Sequence, residues 1–343
     1  MLEAYTPGEQ PKDMKYVKLN TNESPYPPSP LVTAMVEEES KRLNLYSDPE
    51  SRELTASVAE LYNVGSGNVL MTNGSDEVLN FAFMAFCDDE KGMAFPAVSY
   101  GFYPVFAQLN RIPYREIPLR DDFSIDVDDY CGIGMNIVIA NPNAPTGLAL
   151  GLDDIEKIVS SNRDSVVIID EAYIDFGAQS AVELTKKYDN LLVTQTFSKS
   201  RSLAGARLGF GIGSEELIND LNTIKYSTNP YNINRMTSAA GIAAVKDNGY
   251  YMANCKKIEA TREYMSQGLK KLGFVMTDSK SNFLFARSDR IGGEQYYLTL
   301  KSMGILVRHF SKPEIDDYVR ITVGTREQAD ILLSATEKIL GVN

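Results

Sequence analysis

The sequence predicts an α/β protein: a large domain around a mostly parallel sheet, followed by a smaller α+β domain. Three observations predict it. Residues 137–140 (IVIA) and 166–169 (VVII) are unbroken apolar, largely β-branched runs, as strands buried on both faces of a parallel sheet require. From residue 31 to about 235 helical and strand patterns alternate, which lays helices against such a sheet. Beyond 235 long helical stretches precede the next strands, so the architecture changes there. The expected boundaries are 31–235 for the large domain, and 1–30 with 236–343 for an N-terminal arm joined to the small domain.

Each element has its own reason. The first thirty residues carry Pro7, Pro11, Pro25, Pro27, Pro28 and Pro30, which makes them an extended arm and not a helix. Residues 31–43 and 51–62 read as helices, the second with Leu54, Val58 and Leu61 at helical spacing. A short strand at 69–72 runs into Gly74-Ser75-Asp76-Glu77 and an apolar helix from Val78. Further strands are expected at 191–194 and 208–212. Helices at 236–246 and 251–272 then lead to strands at 281–287, 305–308 and 318–323, and a helix at 326–340 closes the chain.

Composition narrows the chemistry. The 343 residues suit two domains at about 100–200 residues each. With 34 basic against 46 acidic side chains, the net charge of −12 argues against nucleic acid and anionic membranes as partners. A single histidine, His309, excludes metal centres that need several imidazoles; no metal site and no catalytic role for His309 are expected. Three widely separated cysteines fit a reducing compartment. Proline and charge interrupt the N-terminus before an apolar signal core forms, and no apolar run approaches the ~20 residues of a membrane span. A cytoplasmic enzyme is expected.

Four loops carry candidate chemistry. Asp170 ends an apolar strand, where open α/β sheets bind ligands, and with Glu171-Ala172-Tyr173 it opens the next turn. Buried there it needs a cationic partner, though by itself it reads equally as a helix N-cap. Lys199 follows another strand in Thr196-Phe197-Ser198-Lys199, eight residues before Arg207. Most lysines are solvated surface charges; this one is placed to form a Schiff base beside hydroxyls and an arginine that suit an anion. Gly74-Ser75-Asp76-Glu77 offers backbone N–H groups at a helix N-terminus, a phosphate cradle, although alone it is better read as a turn with a cap. Asn141-Pro142-Asn143-Ala144-Pro145-Thr146-Gly147 is a rigid turn at the same sheet edge. Gly209-Phe210-Gly211-Ile212-Gly213 breaks the dinucleotide pattern at Ser214 and reads as strand interior. Together the loops gather a phosphate cradle, an Asp, a Tyr, a Lys and an Arg, a set that suits pyridoxal phosphate.

At this point the chain resembles the fold-type I pyridoxal-phosphate-dependent aminotransferases, and within them the branch acting on histidinol phosphate. The resemblance spans nearly the whole chain. It includes Tyr5-Thr6-Pro7-Gly8, Leu19-Asn20-Thr21-Asn22-Glu23, Tyr46-Ser47-Asp48-Pro49, Gly74-Ser75-Asp76-Glu77, Ser99-Tyr100-Gly101-Phe102-Tyr103, Pro142-Asn143-Ala144-Pro145-Thr146-Gly147, Asp170-Glu171-Ala172-Tyr173, Ser198-Lys199, Leu203-Ala204-Gly205-Ala206-Arg207, Asn282-Phe283-Leu284 and Val319-Arg320-Ile321-Thr322-Val323-Gly324. It implies that Lys199 carries pyridoxal 5′-phosphate, that Asp170 pairs with its ring nitrogen, that Tyr173 faces the ring oxygen and that Tyr100 stacks on the ring. Ser75, Asp76, Thr196, Ser198 and Arg207 would line the phosphate region. Tyr46 would reach the neighbouring subunit's phosphate, so a homodimer with a shared site is implied. Asn22, Arg308 and Arg320 would handle substrate, with Tyr5 closing over it; the implied substrates are histidinol phosphate and 2-oxoglutarate or glutamate, in histidine biosynthesis. Ala144 departs from the family, whose turn has an Asn there to bond the ring oxygen. Asn143 or Asn141 would replace it, or Tyr173 would act alone. An aromatic amino acid aminotransferase and a decarboxylase acting on threonine phosphate are the rival readings.

Overall fold

Among the described residues the proline-rich start forms no helix; its regular piece is β1 (Val17–Lys18). The structure, a computed structural model, describes residues 4–342, so positions 1–3 of the expected arm lie outside it. Helix α1 (Pro30–Ser40) starts where Ser29 accepts the Val32 N–H and where proline at the first position forfeits no hydrogen bond. There follow α2 (Arg52–Tyr62), β2 (Val69–Thr72), α3 (Ser75–Phe86), β3 (Met93–Pro96), α4 (Tyr103–Asn110) and β4 (Tyr114–Ile117). The middle of the chain supplies β5 (Asn136–Ala140), α5 (Leu152–Ser161), β6 (Val167–Asp170), β7 (Leu191–Thr196) and β8 (Gly209–Ile212). Then come α6 (Glu215–Thr228), α7 (Arg235–Lys246) and α8 (Asn248–Lys271). The last part holds β9 (Phe274–Met276), β10 (Phe283–Ser288), α9 (Gly293–Ser302), β11 (Ile305–Leu306), β12 (Arg308–His309), β13 (Val319–Thr322) and α10 (Arg326–Leu340). The single strand expected at 305–308 is two, because the chain changes sheets at Val307: β11 pairs with β1, β12 with β13.

Seven strands form the main sheet in the order β2-β8-β7-β6-β5-β3-β4. Strands β4, β3, β5, β6 and β7 run parallel, and β8 is antiparallel to both its neighbours. The reversal at β8 is what assembles the site. The C-terminal ends of β5, β6 and β7 share one edge, with Ala140 opposite Asp170 and Asp170 opposite Thr194. Because β8 runs the other way, its first residue, Gly209, meets the ends of both β7 and β2 at Thr196 and Thr72. Arg207, just before β8, and Gly74-Ser75, just after β2, therefore reach the same edge as Lys199, just after β7. A Cβ on Gly209 would lie 2.3 Å from the Ser75 nitrogen, so only glycine lets α3 start this close.

The apolar strand runs are buried on both faces. Ile137, Ile139, Val167, Ile169, Leu191 and Val193 pack into the core shared with α2, α5 and α7, while Val138, Ile168 and Leu192 pack toward α3, α4 and α6. Truncating one of these isoleucines to alanine costs about 2–5 kcal/mol. A separate core surrounds the antiparallel sheet β12-β13-β10-β9 and contains Leu19 from the arm. Helix α7 sends Ala240, Ile242, Ala243 and Ala244 into the first core, on the far side of the boundary expected at residue 235. Among the described residues no helix is long and apolar enough to cross a membrane.

Candidate active site

Two joined cavities open at the edge where β5, β6 and β7 end. The smaller, about 190 Å³, is lined by Ser75, Asp76, Tyr100, Asp170, Tyr173, Thr196, Ser198, Lys199 and Arg207, with Thr21, Glu23, Ala140, Ala144, Ala172 and Ala204 completing its wall. The nine named first are all expected site residues, and Ala144 is the departure from the family's turn. Tyr100, Ala144, Tyr173 and Lys199 also line the larger cavity, about 590 Å³, together with Tyr5, Asn22, Arg308 and Arg320.

One end of the smaller cavity is built for an anion. Helix α3 begins at Ser75 after Gly74, whose φ of +82° points the first N–H groups inward at a helix N-terminus. A φ of +82° at Gly74 is a conformation that L side chains rarely adopt, so glycine is favoured here too, and it leaves room for the Arg207 guanidinium. Arg207 donates to Asp76 at 3.2 Å and to the Ser198 hydroxyl at 3.3 Å, and Thr196 donates to the same hydroxyl at 3.0 Å.

At the other end lies Asp170, 4% exposed. The Tyr103 hydroxyl donates to it at 2.9 Å and the Thr194 hydroxyl at 3.2 Å, and both partners are neutral. Burial pushes its pKa up to about 6, which those two bonds only partly offset. The cation expected beside Asp170 is not supplied by the described residues. A group with a protonated ring nitrogen would supply it.

Lys199 lies between these ends. Its amine donates to the Thr21 carbonyl at 3.2 Å and sits 5.6 Å from the centre of the Tyr173 ring. The Tyr173 hydroxyl accepts from the Asn22 side chain at 3.0 Å. Tyr100 donates to Asp76 at 2.9 Å, and burial beside that carboxylate raises its phenol well above the usual range.

The larger cavity holds both arginines. Arg320 donates once, to the Asn20 carbonyl at 3.2 Å, while its Nε has no partner. Its guanidinium lies 5.4 Å from the Phe283 ring centre and 5.7 Å from that of Phe310, and burial lowers its pKa. Arg308 donates to the carbonyls of Thr6 and Pro7 at 3.1 and 3.2 Å. Neither arginine pairs with Asp316 or Asp317; the Asp316 carbonyl receives His309 instead. Tyr5 packs on Phe102 with ring centres 4.5 Å apart, and burial raises its phenol against the lowering effect of Arg320 and Arg308.

Two expected residues lie elsewhere. Asn143 lines neither cavity, because its amide is committed to Ser99, Val98 and Thr146. Asn141 is likewise occupied with Leu150, so neither replaces the missing Asn at 144. Tyr46 is 79% exposed and stacked on Tyr231 at 4.6 Å, away from this chain's own cavities. Sequence reasoning gives no role to Tyr103, Thr194 or Thr21, although Tyr103 and Thr21 lie within motifs that carry the resemblance. Thr194 is the register partner of Asp170 on β7, visible only once pairing is known.

The aminotransferase class I and II family matches residues 14–335. A histidinol-phosphate aminotransferase of Brachyspira hyodysenteriae is 54% identical over 341 residues, spanning 99% of this chain and 96% of the relative. The chain belongs to the histidinol-phosphate aminotransferase family. The enzyme of that name from Clostridium acetobutylicum is 48% identical, over 95% of this chain and 93% of its own. Among solved structures, a histidinol-phosphate aminotransferase from Sinorhizobium meliloti in complex with pyridoxal 5′-phosphate superposes with a TM-score of 0.87 at 21% identity, covering 95% of this chain and 92% of its own. Another from Clostridium acetobutylicum gives 0.85 at 24%, covering 94% and 99%. These likenesses show the fold-type I architecture, and the expected fold class stands. An aminotransferase of this family is an enzyme acting on small molecules.

Proposed function

We propose that the protein moves an amino group between histidinol phosphate and 2-oxoglutarate, glutamate being the second amine, in histidine biosynthesis, with pyridoxal 5′-phosphate in the smaller cavity. One observation carries the reading. A lysine amine and a buried carboxylate lacking a cation face one cavity, which ends in a helix N-terminus and opens onto a half-buried arginine whose buried Nε is free.

The residues fit that cofactor. Ser75 at the start of α3, Thr196, Ser198 and Arg207 would hold its phosphate; Asp170 its ring nitrogen; Tyr173, supported by Asn22, its ring oxygen; Tyr100 one face of the ring; and Lys199 its aldehyde carbon. When bound, it supplies an electron sink for negative charge developing at the substrate's Cα. Asp170 would keep the ring nitrogen protonated: a cation beside it favours the ionised carboxylate, reversing the upward push of burial. As a free amine, Lys199 would take the substrate's Cα proton and deliver it to the former aldehyde carbon of the cofactor, a role worth typically 10²–10⁴-fold. The Thr21 carbonyl holds that amine near Tyr173 meanwhile. Arg320 and Arg308 would receive the phosphate or carboxylate end of either substrate, and Tyr5 would close over it.

We also propose a cytoplasmic homodimer in which Tyr46 reaches the partner's phosphate region; its exposure and stacking on Tyr231 support this. The two-domain division is proposed with the change of domain within α8, since α7 joins the first core. The arm goes with the small domain, because β1 pairs with β11. Steady-state assays with histidinol phosphate, histidinol, phenylalanine, tyrosine and threonine phosphate test the substrate. Conversion of phenylalanine or tyrosine but not histidinol phosphate, or carbon dioxide release from threonine phosphate, would overturn it.

A further inference from the structure

Glu171 follows Asp170 but, by strand alternation, projects from the opposite face of the sheet. It lines neither active-site cavity and has no part in the chemistry above. Yet it is 1% exposed, and all its partners are neutral donors. Ser180 donates to it at 2.7 Å, the Ala181 N–H at 2.6 Å and the Gln195 amide at 2.8 Å. Gln195 in turn accepts the Tyr62 hydroxyl at 2.5 Å. Burying a carboxylate without a cation is unfavourable, and burial pushes this one up to about 7. The chain satisfies the group with three donors where an apolar residue would need none.

We infer that Glu171 is a positioning residue, which grips β7 and the 180–181 segment from behind the sheet and so fixes the strand end that carries Asp170 and Tyr173. The geometry is that of two ties through one strand pair. On the cavity side, Thr194 bonds Asp170; on the far side, the next residue of β7, Gln195, bonds the next residue of the chain, Glu171. Between them the Glu171 N–H donates to the Thr194 carbonyl at 2.8 Å. The Glu171 carbonyl accepts the Ile174 N–H at 3.2 Å, which sets the turn holding Tyr173. A cavity of about 210 Å³ lined by Tyr62, Ser180 and Gln195 lies beside this network, so those partners have room to move once the carboxylate is gone.

The inference rests on Asp170 and Tyr173 being cofactor contacts, and its main readout needs no substrate. Wild type, Glu171→Ala, Glu171→Gln and a core control, Ile169→Ala, are loaded with pyridoxal phosphate. The absorbance titration of the lysine-bound cofactor is recorded for each, with thermal unfolding, and kcat and KM are measured on whichever amine supports turnover. Glutamine keeps the shape and is accommodated by reversing the chain: it donates to the Gln195 carbonyl oxygen, whose amide then donates to Tyr62. The expected result is a midpoint shift of about half a unit or more and a kcat loss on the order of tenfold to a hundredfold in Glu171→Ala. KM should change little, and Glu171→Gln should stay within about twofold of wild type. Ile169→Ala should lose stability and keep both midpoint and kcat. A wild-type midpoint and kcat in Glu171→Ala would overturn the inference, as would equal shifts in the core control or no rescue by glutamine.

Discussion

Arg320→Lys is the most discriminating change at the substrate end. Arg320 is half-buried beside Phe283 and Phe310, spends one N–H on the Asn20 carbonyl and leaves a buried Nε without a partner. An incoming phosphate or carboxylate would take the remaining donors as a fork. Lysine keeps a charge but not the fork, so at least one charge-assisted bond is lost, worth about 1.5–3 kcal/mol. That converts to about 10- to 150-fold in kcat/KM. The same burial that lowers the Arg320 pKa would act more strongly on a lysine, so the deficit should widen as pH rises. The assay is kcat/KM for histidinol phosphate and for glutamate across pH, with unphosphorylated histidinol as control. Both anionic substrates should lose alike, while histidinol, poor from the outset, should barely change. Equal losses for histidinol and histidinol phosphate would refute the reasoning, because Arg320 would then act through Asn20 on the arm and not on an anion.

Borohydride reduction of the loaded protein should label Lys199 in peptide mapping, and Lys199→Ala should bind cofactor yet lose the 10²–10⁴-fold of proton transfer; a label elsewhere overturns the assignment. In the cofactor-free protein the pKa values of Asp170 and Glu171 are raised to about 6 and about 7, so their neutral forms favour folding. The stability they contribute is present near pH 4 and is lost as pH rises to about 7, so melting temperature should climb from pH 7.5 to 5.5. Asp170→Asn with Glu171→Gln should flatten that slope; an unchanged slope contradicts the burial argument. Ala144→Asn should lower the titration midpoint of the lysine-bound cofactor by about one to two units, one bond to a charged oxygen being worth about 1.5–3 kcal/mol; no shift would mean that oxygen is already satisfied. Mixing Lys199→Ala with Tyr46→Ala subunits should restore some activity through hybrid dimers; none, despite proven subunit exchange, counts against a shared site.

The legible parts of this fold were those where residue type itself is the constraint. Runs such as 137–140 and 166–169 announce strands buried on both faces; Asp170 ends the second, Lys199 follows the strand at 191–196 and Arg207 stands just before the next. Strands β3 and β4 are not legible because four residues give little period, and β4 is polar at Tyr114-Arg115-Glu116 on the sheet edge. Helix α6 escaped because Asn, Asp and Thr dilute its apolar positions. The end of strand–helix alternation near residue 235 is visible in sequence, whereas the core that an alanine-rich helix such as α7 joins is not. In the site, the roles of Tyr103 and Thr194 are hidden for the same reason: they matter through the register of β6 on β7 and the seating of α4, which no local pattern encodes.

The Ala144 departure shows what that non-local assembly achieves. With Asn141 and Asn143 committed within the turn, the amide that reaches Tyr173 comes from Asn22, in the arm. Asn22 has a φ of +56°, a conformation asparagine tolerates better than most residues. It is held there by Thr322, which accepts its N–H at 2.9 Å and donates to its side-chain oxygen at 3.0 Å, and by Asn282, which donates to its carbonyl at 3.0 Å. Thr322 and Asn282 belong to the antiparallel sheet region, about 300 and 260 residues along the chain. The preceding carbonyl, Thr21, is the one that holds the Lys199 amine. Docking of the arm on the small sheet thus sets two contacts at once, one on the phenol of Tyr173 and one on the amine of Lys199. A chain lacking Asn at 144 therefore still presents an amide donor beside Tyr173, provided that the arm is seated.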